Sequence, residues 1–137
     1  MAYFNFYARF YAKRRAIAEA IATFWRFRPV RLYFFIFWPL HILTWLEAFF
    51  IRKNLSGNFL VLHYNVDFGV DLVSGPNRIF VYPLYGLAVF LINFSLGVFL
   101  TRRPDWRLFA HFLLAGLVLF SALLVLALMF IYLINFS

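Results

Sequence analysis

The residues best equipped for chemistry in this 137-residue chain crowd into nine positions: His63, Asn65, Asp67 and Asp71. An imidazole, two carboxylates and an amide oxygen suit a hard or borderline divalent cation, with His63, Asp67 and Asp71 as the ligand set. Their spacing matches no recognised metal-ligand pattern, so the expectation is no metal and no cofactor. The same groups, with Gly69 between them, suit recognition of a peptide, a polymer or a partner loop. The plain alternative is the solvated face of a strand. A second polar set is scattered through apolar sequence: His41, Glu47, Asn93 and Ser121. Ionisable groups within a membrane cost roughly 2.5 kcal/mol or more, so they mark either an ion or proton path or structural contacts. Interhelical hydrogen bonds of the second kind are worth about 0.6 kcal/mol each. His41 and Glu47 fall on different faces of a helix and make a poor relay. There is no G-x-S-x-G, no H-E-x-x-H, no phosphate loop and no nucleophile beside a base, so the chain reads as a non-enzyme.

The elements that would position these groups are set by the membrane. Hydrophobic residues make up 66% of the chain and charged ones 13%, against about 25% charged in an average soluble domain. A soluble fold of this length cannot hide so much apolar surface, whereas a bilayer solvates it. The absence of Cys rules out disulfides and thiolate chemistry. Three apolar runs, at about 32–51, 79–100 and 108–133, are each long enough to cross the roughly 30 Å hydrocarbon core. The fold class is therefore an all-α membrane protein with three transmembrane helices. Residues 1–28 form a basic amphipathic segment, and residues 29–137 the three-span domain with a loop at 52–78.

Lys and Arg set the expected orientation. Arg9, Lys13, Arg14, Arg15, Arg26, Arg28 and Arg31 precede the first span, and Arg102, Arg103 and Arg107 lie around the second connection. The 52–78 loop carries three basic residues offset by Asp67 and Asp71. This predicts a cytoplasmic N-terminus, an extracytoplasmic 52–78 loop and an extracytoplasmic C-terminus. The N-terminal segment lacks the apolar core and cleavage site of a signal peptide. On a helix it places Tyr3, Phe6, Tyr7, Phe10, Tyr11, Ile17, Ala18, Ile21, Phe24 and Trp25 on one face. Its basic residues Arg9, Lys13, Arg14, Arg15, Arg26 and Arg28 suit anionic lipid rather than nucleic acid. The expected partners are the bilayer, anionic lipids, and another membrane protein or a second copy of the chain.

In the 52–78 loop, Leu60, Leu62, Tyr64, Val66, Phe68, Val70 and Leu72 alternate with Val61, His63, Asn65, Asp67, Gly69, Asp71 and Val73. Period two predicts an extended segment with its even residues on apolar surface and its odd residues toward water or a ligand. Its backbone must be paired by a hairpin partner within 54–78 or by another chain. A helix, which would align His63, Asp67 and Asp71 but not Asn65, is the competing geometry. The pattern His63, Asn65, Gly69 and Asp71, followed by Pro83-Leu84 in the next span, resembles a domain of unknown function. That domain occurs in small bacterial membrane proteins and in relatives of the immunity protein against the sporulation-delaying toxin. The resemblance covers residues 32–100 and departs upstream, where Gly57, Asn58 and Phe59 stand in place of the family's prolines. It implies a membrane topology and a loop of this kind, in a bacterial inner membrane, and no reaction. The expected function is a non-enzymatic accessory, immunity-like or assembly subunit acting through helix faces and the loop. The alternative is a small oligomeric channel or proton-handling protein using His41, Glu47 and Asn93.

Overall fold

The computed structural model describes residues 2–65, 67 and 69–136. The chain is an all-α membrane protein with three helices long and apolar enough to cross a bilayer. The elements in chain order are α1 (Ala2–Arg26), α2 (Arg28–Asn54), strands β1 (Leu60–Asn65) and β2 (Gly69–Ser74), a 3-10 turn (Pro76–Phe80), α3 (Val81–Leu100) and α4 (Trp106–Phe136), the spanning helices being α2, α3 with the turn before it, and α4. The helices overrun the apolar runs at several ends. Arg28, Arg31, Arg52 and Lys53 all belong to α2, because long basic side chains can leave the hydrocarbon while their backbone stays helical. Pro83 sits in the first turn of α3, where its missing N–H costs nothing.

A heptad seam joins α2 and α4. The buried residues of α2 are Val30, Phe34, Phe37, His41, Thr44, Ala48 and Ile51. Those of α4 are Ala110, Leu114, Leu117, Ser121, Leu124, Leu128 and Ile131. Both sets step by four and three, the spacing of knobs-into-holes packing. The two helices run parallel: Val30 and Phe34 share one apolar cluster with Ala110 and Leu114. Ala48 and Ile51 share the other with Leu128 and Ile131. The third helix, α3, runs antiparallel and closes the groove with glycine. A Cβ on Gly86 would meet His41 Nδ1 at 3.1 Å and Leu124 Cδ1 at 3.2 Å.

The C-terminal end of α1 is tied into this bundle. Phe24 is fully buried, edge-on to Phe94 at 5.8 Å and tilted against Trp106 at 6.4 Å. Gly97 admits the ring, since a Cβ there would lie 2.5 Å from Phe24 Cζ. Along the rest of the apolar face Tyr7, Phe10, Tyr11, Ile17, Ile21 and Trp25 are exposed, with Trp25 edge-on to Phe34 at 5.1 Å. The side chains of Tyr3 and Phe6 lie outside the described residues. Arg9, Lys13, Arg14 and Arg15 are exposed as well, and Arg15 Nε donates to Glu19 Oε1 at 2.9 Å. An exposed i,i+4 pair of this kind adds at most about 0.5 kcal/mol.

Candidate functional site: a hairpin fastened to the helix ends

Residues 60–74 form an antiparallel hairpin. The period-two pattern does not run on as one strand, because the chain reverses around Asp67. Gly69 then opens the return strand at φ +77, a conformation that glycine adopts without the Cβ clash other residues suffer. The register pairs Leu60 with Ser74, Val61 with Val73 and Tyr64 with Val70, and slips on both sides of His63, which stands opposite Leu72. The slip breaks the even/odd division. Leu60 is fully buried and Leu62 packs beside it, yet the even residues Val70 and Leu72 of β2 are about half exposed, at 49% and 51%. The physical reason is placement: β1 lies against the bundle and β2 stands outside it.

An isolated two-stranded hairpin is marginal in water, so its attachments decide whether it holds a shape. Leu60 is one, seated among Ala48, Ile51, Ile79, Leu128 and Ile131. Asn135, in the last turn of α4, is the second, and sequence reasoning missed it. The Val61 N–H donates to Asn135 Oδ1 at 3.0 Å, and Asn135 Nδ2 donates to the Val61 carbonyl at 2.8 Å. The carboxamide thus pairs with β1 as a third strand would. Nδ2 also donates to the Ile131 carbonyl in its own helix at 2.8 Å. Each such bond contributes about 0.5–1.5 kcal/mol, and losing Asn135 would orphan two half-buried backbone groups at once. The one signal for it in the sequence is a lone amide in an otherwise apolar final turn. Arg52 Nε donating to Asn77 Oδ1 at 2.9 Å closes the base of the hairpin.

Of the groups proposed for recognition, His63 on β1 and Asp67 at the turn are exposed. The side chains of Asn65 and Asp71, and residues Val66 and Phe68 altogether, lie outside the described residues. Among the described residues no three His, Asp or Glu side chains are grouped to hold a metal ion. The proposed set of His63, Asp67 and Asp71 includes one side chain beyond that description.

The intramembrane polar groups do not meet one another. Asn93 Nδ2 donates to the Val89 carbonyl at 2.8 Å and Ser121 Oγ to the Leu117 carbonyl at 2.9 Å, each within its own helix. His41 is buried on the α2 seam, stacked on Phe37 at 5.2 Å. Its Nε2 accepts from Trp45 Nε1 at 3.2 Å, which assigns the ring proton to Nδ1. That nitrogen, against Gly86, has no hydrogen-bond partner among the described residues. Glu47 faces elsewhere, into a cleft of about 160 Å³ with Phe50, Leu128, Met129 and Tyr132. Its Oε2 is likewise buried without a partner among the described residues. His111, at the start of α4, shares a hydrogen bond with Tyr33 Oη through Nδ1 at 3.3 Å.

No family model, no curated protein and no solved structure matches this chain.

Proposed function

We propose that this chain is a non-enzymatic membrane subunit, of accessory, assembly or immunity-like type, whose working surface is the 60–74 hairpin. The observation that supports this reading most directly is the fastening of the hairpin. A loop used only to connect α2 with α3 does not need a buried anchor at Leu60 and a two-bond clasp from Asn135 in a third helix. Fixed attachment removes ordering entropy from a binding event, and this makes a short loop an effective recognition surface. The resemblance carried by His63, Asn65, Gly69 and Asp71 belongs to this reading too. In native membranes, crosslinking through the hairpin is expected to capture a discrete partner. Asp67→Asn combined with Asp71→Asn should abolish capture while leaving insertion and melting temperature unchanged. Identical capture by the wild type and the double variant, or none by either, defeats the reading.

Orientation follows the basic residues, with the N-terminus cytoplasmic and the hairpin extracytoplasmic. The chain has no cysteine, so single introduced thiols report cleanly. In intact cells an impermeant thiol reagent should label Asp67→Cys, and should reach Asp105→Cys only after permeabilisation. The opposite pattern would invert the topology.

His41 Nδ1 and Glu47 Oε2, buried without a partner among the described residues, favour a second reading as an oligomeric ion or proton pathway. It requires a symmetric assembly with both residues on its axis. A monomer in mild detergent, or an oligomer with both side chains away from the axis, excludes it.

A further inference from the structure

At the end of the bundle away from the hairpin, the chain passes from α1 to α2 through Phe27, and α4 begins beside that junction. A concavity of about 700 Å³ lies there, lined by Thr23, Arg26, Phe27, Arg28, Pro29, Trp106 and Arg107. Its size is within the roughly 300–1,000 Å³ of ligand pockets. Three arginines line it and none of its lining residues is acidic. Glu19, in the same helix, is already paired with Arg15 at 2.9 Å. Asp105 precedes Trp106 in the chain and is exposed, outside the lining. The Arg107 guanidinium lies 5.8 Å from the Phe27 ring centroid and 5.9 Å from that of Trp106. Those rings steady its position without neutralising its charge.

The backbone adds to the same excess. Arg28 and Pro29 are the first residues of α2, and Trp106 and Arg107 the first of α4. Both helix starts present the positive end of a helix dipole, although Pro29 has no N–H and the Val30, Trp106 and Leu108 N–H groups already donate to the Phe27, Arg103 and Asp105 carbonyls. Three arginines and two positive helix ends outweigh the partial negative charge at the C-terminal end of α1, whose last residue is Arg26, so the space favours an anion. The arginine fork takes phosphate oxygens two at a time. The aromatic walls, with a Trp at a span boundary, suit an apolar chain running from that phosphate into the bilayer.

We propose that this pocket binds the phosphate headgroup of one anionic phospholipid, with Arg26, Arg28 and Arg107 on the phosphate oxygens. The proposal is independent of the hairpin reading. It is specific where a merely basic surface is diffuse: Arg9, Lys13 and Arg14 lie on the exposed stretch of α1, outside the pocket lining.

The test uses the full-length protein in a neutral detergent, with bound lipid counted by native mass spectrometry during titration with phosphatidylglycerol or phosphatidylcholine. The wild type should hold one phosphatidylglycerol saturably and no phosphatidylcholine. The Arg26→Gln, Arg28→Gln, Arg107→Gln triple variant should lose about fivefold per arginine, or about a hundredfold in all. The Arg9→Gln, Lys13→Gln, Arg14→Gln triple removes the same charge outside the pocket and should stay within about threefold of wild type. Equal loss in the two triples overturns the pocket. Saturable binding of inorganic phosphate that displaces the lipid overturns the lipid as its source. If the glutamine triple does not fold, the Lys triple at the same positions decides. It keeps the charge and loses the forks, so a loss of about fivefold or more supports the proposal, and wild-type affinity overturns it.

Discussion

Phe24→Ala is expected to cost about 3–5 kcal/mol, the range for emptying a buried aromatic site, and to release α1 from the bundle. Phe24 is the one fully buried hydrophobic side chain described in α1. Its ring fills the notch left by Gly97 and touches Phe94 and Trp106. Among the described residues of α1 the next anchor is Trp25, itself 47% exposed, edge-on to Phe34 at 5.1 Å. Collapse cannot refill the gap, because a glycine lies on one side and two large rings on the other. The measurement is a melting temperature in detergent together with a spin-label distance between α1 and α3. The variant should melt lower, and the distance should broaden over many ångströms. A narrow, unchanged distance would mean that α1 is held by contacts other than this ring.

Gly86→Leu should be nearly as damaging, at about 3 kcal/mol, toward the upper end of overpacking costs. The new side chain enters a space that His41 and Leu124 already close to within 3.1 and 3.2 Å. Both belong to the seam between α2 and α4, so the insertion wedges three helices apart rather than one side chain aside. The signature is rescue. His41→Ala opens the space, so the double variant should be more stable than Gly86→Leu alone, a coupling that a thermal-melt double-mutant cycle measures. Strictly additive losses would show that the two residues do not share the site.

The three spans were legible because a run of apolar residues long enough for hydrocarbon has few other uses in so short a chain. The seam between them was not. Lipid chains are as apolar as a helix core, so Leu and Phe occupy both the buried and the lipid-facing positions, and hydrophobic period disappears. In hindsight the small and polar residues mark it: His41, Thr44 and Ala48 on α2, and Ala110 and Ser121 on α4, all at heptad positions. The residue types left open an ion path or interhelical contacts for Asn93 and Ser121, but both bond to carbonyls one turn back, as polar side chains within a helix commonly do. In the hairpin, alternation identified β1 and the need for a strand partner. The reversal at Asp67 and the slip around His63 are set by how β1 seats on the helices, which no local pattern records. Asn135 and the arginine pocket were hidden for a further reason. Each joins residues more than seventy positions apart, and a single amide or a single Arg-Trp step carries no sign of its distant partner.

The clasp at Asn135 ties the hairpin to the thickness of the surrounding lipid. Helix α4 has 31 residues, about 46 Å at 1.5 Å per residue, and Asn135 is its next-to-last. A hydrocarbon layer of about 30 Å leaves some 16 Å to be absorbed by tilt or by protrusion into the headgroups. Among headgroups, water competes for both bonds between Asn135 and Val61, whereas in hydrocarbon nothing does. Longer acyl chains therefore draw the clasp out of reach of water and stiffen the hairpin, and shorter ones hydrate and loosen it. The rigidity of the displayed loop is a property shared between the protein and the chain length of its lipids.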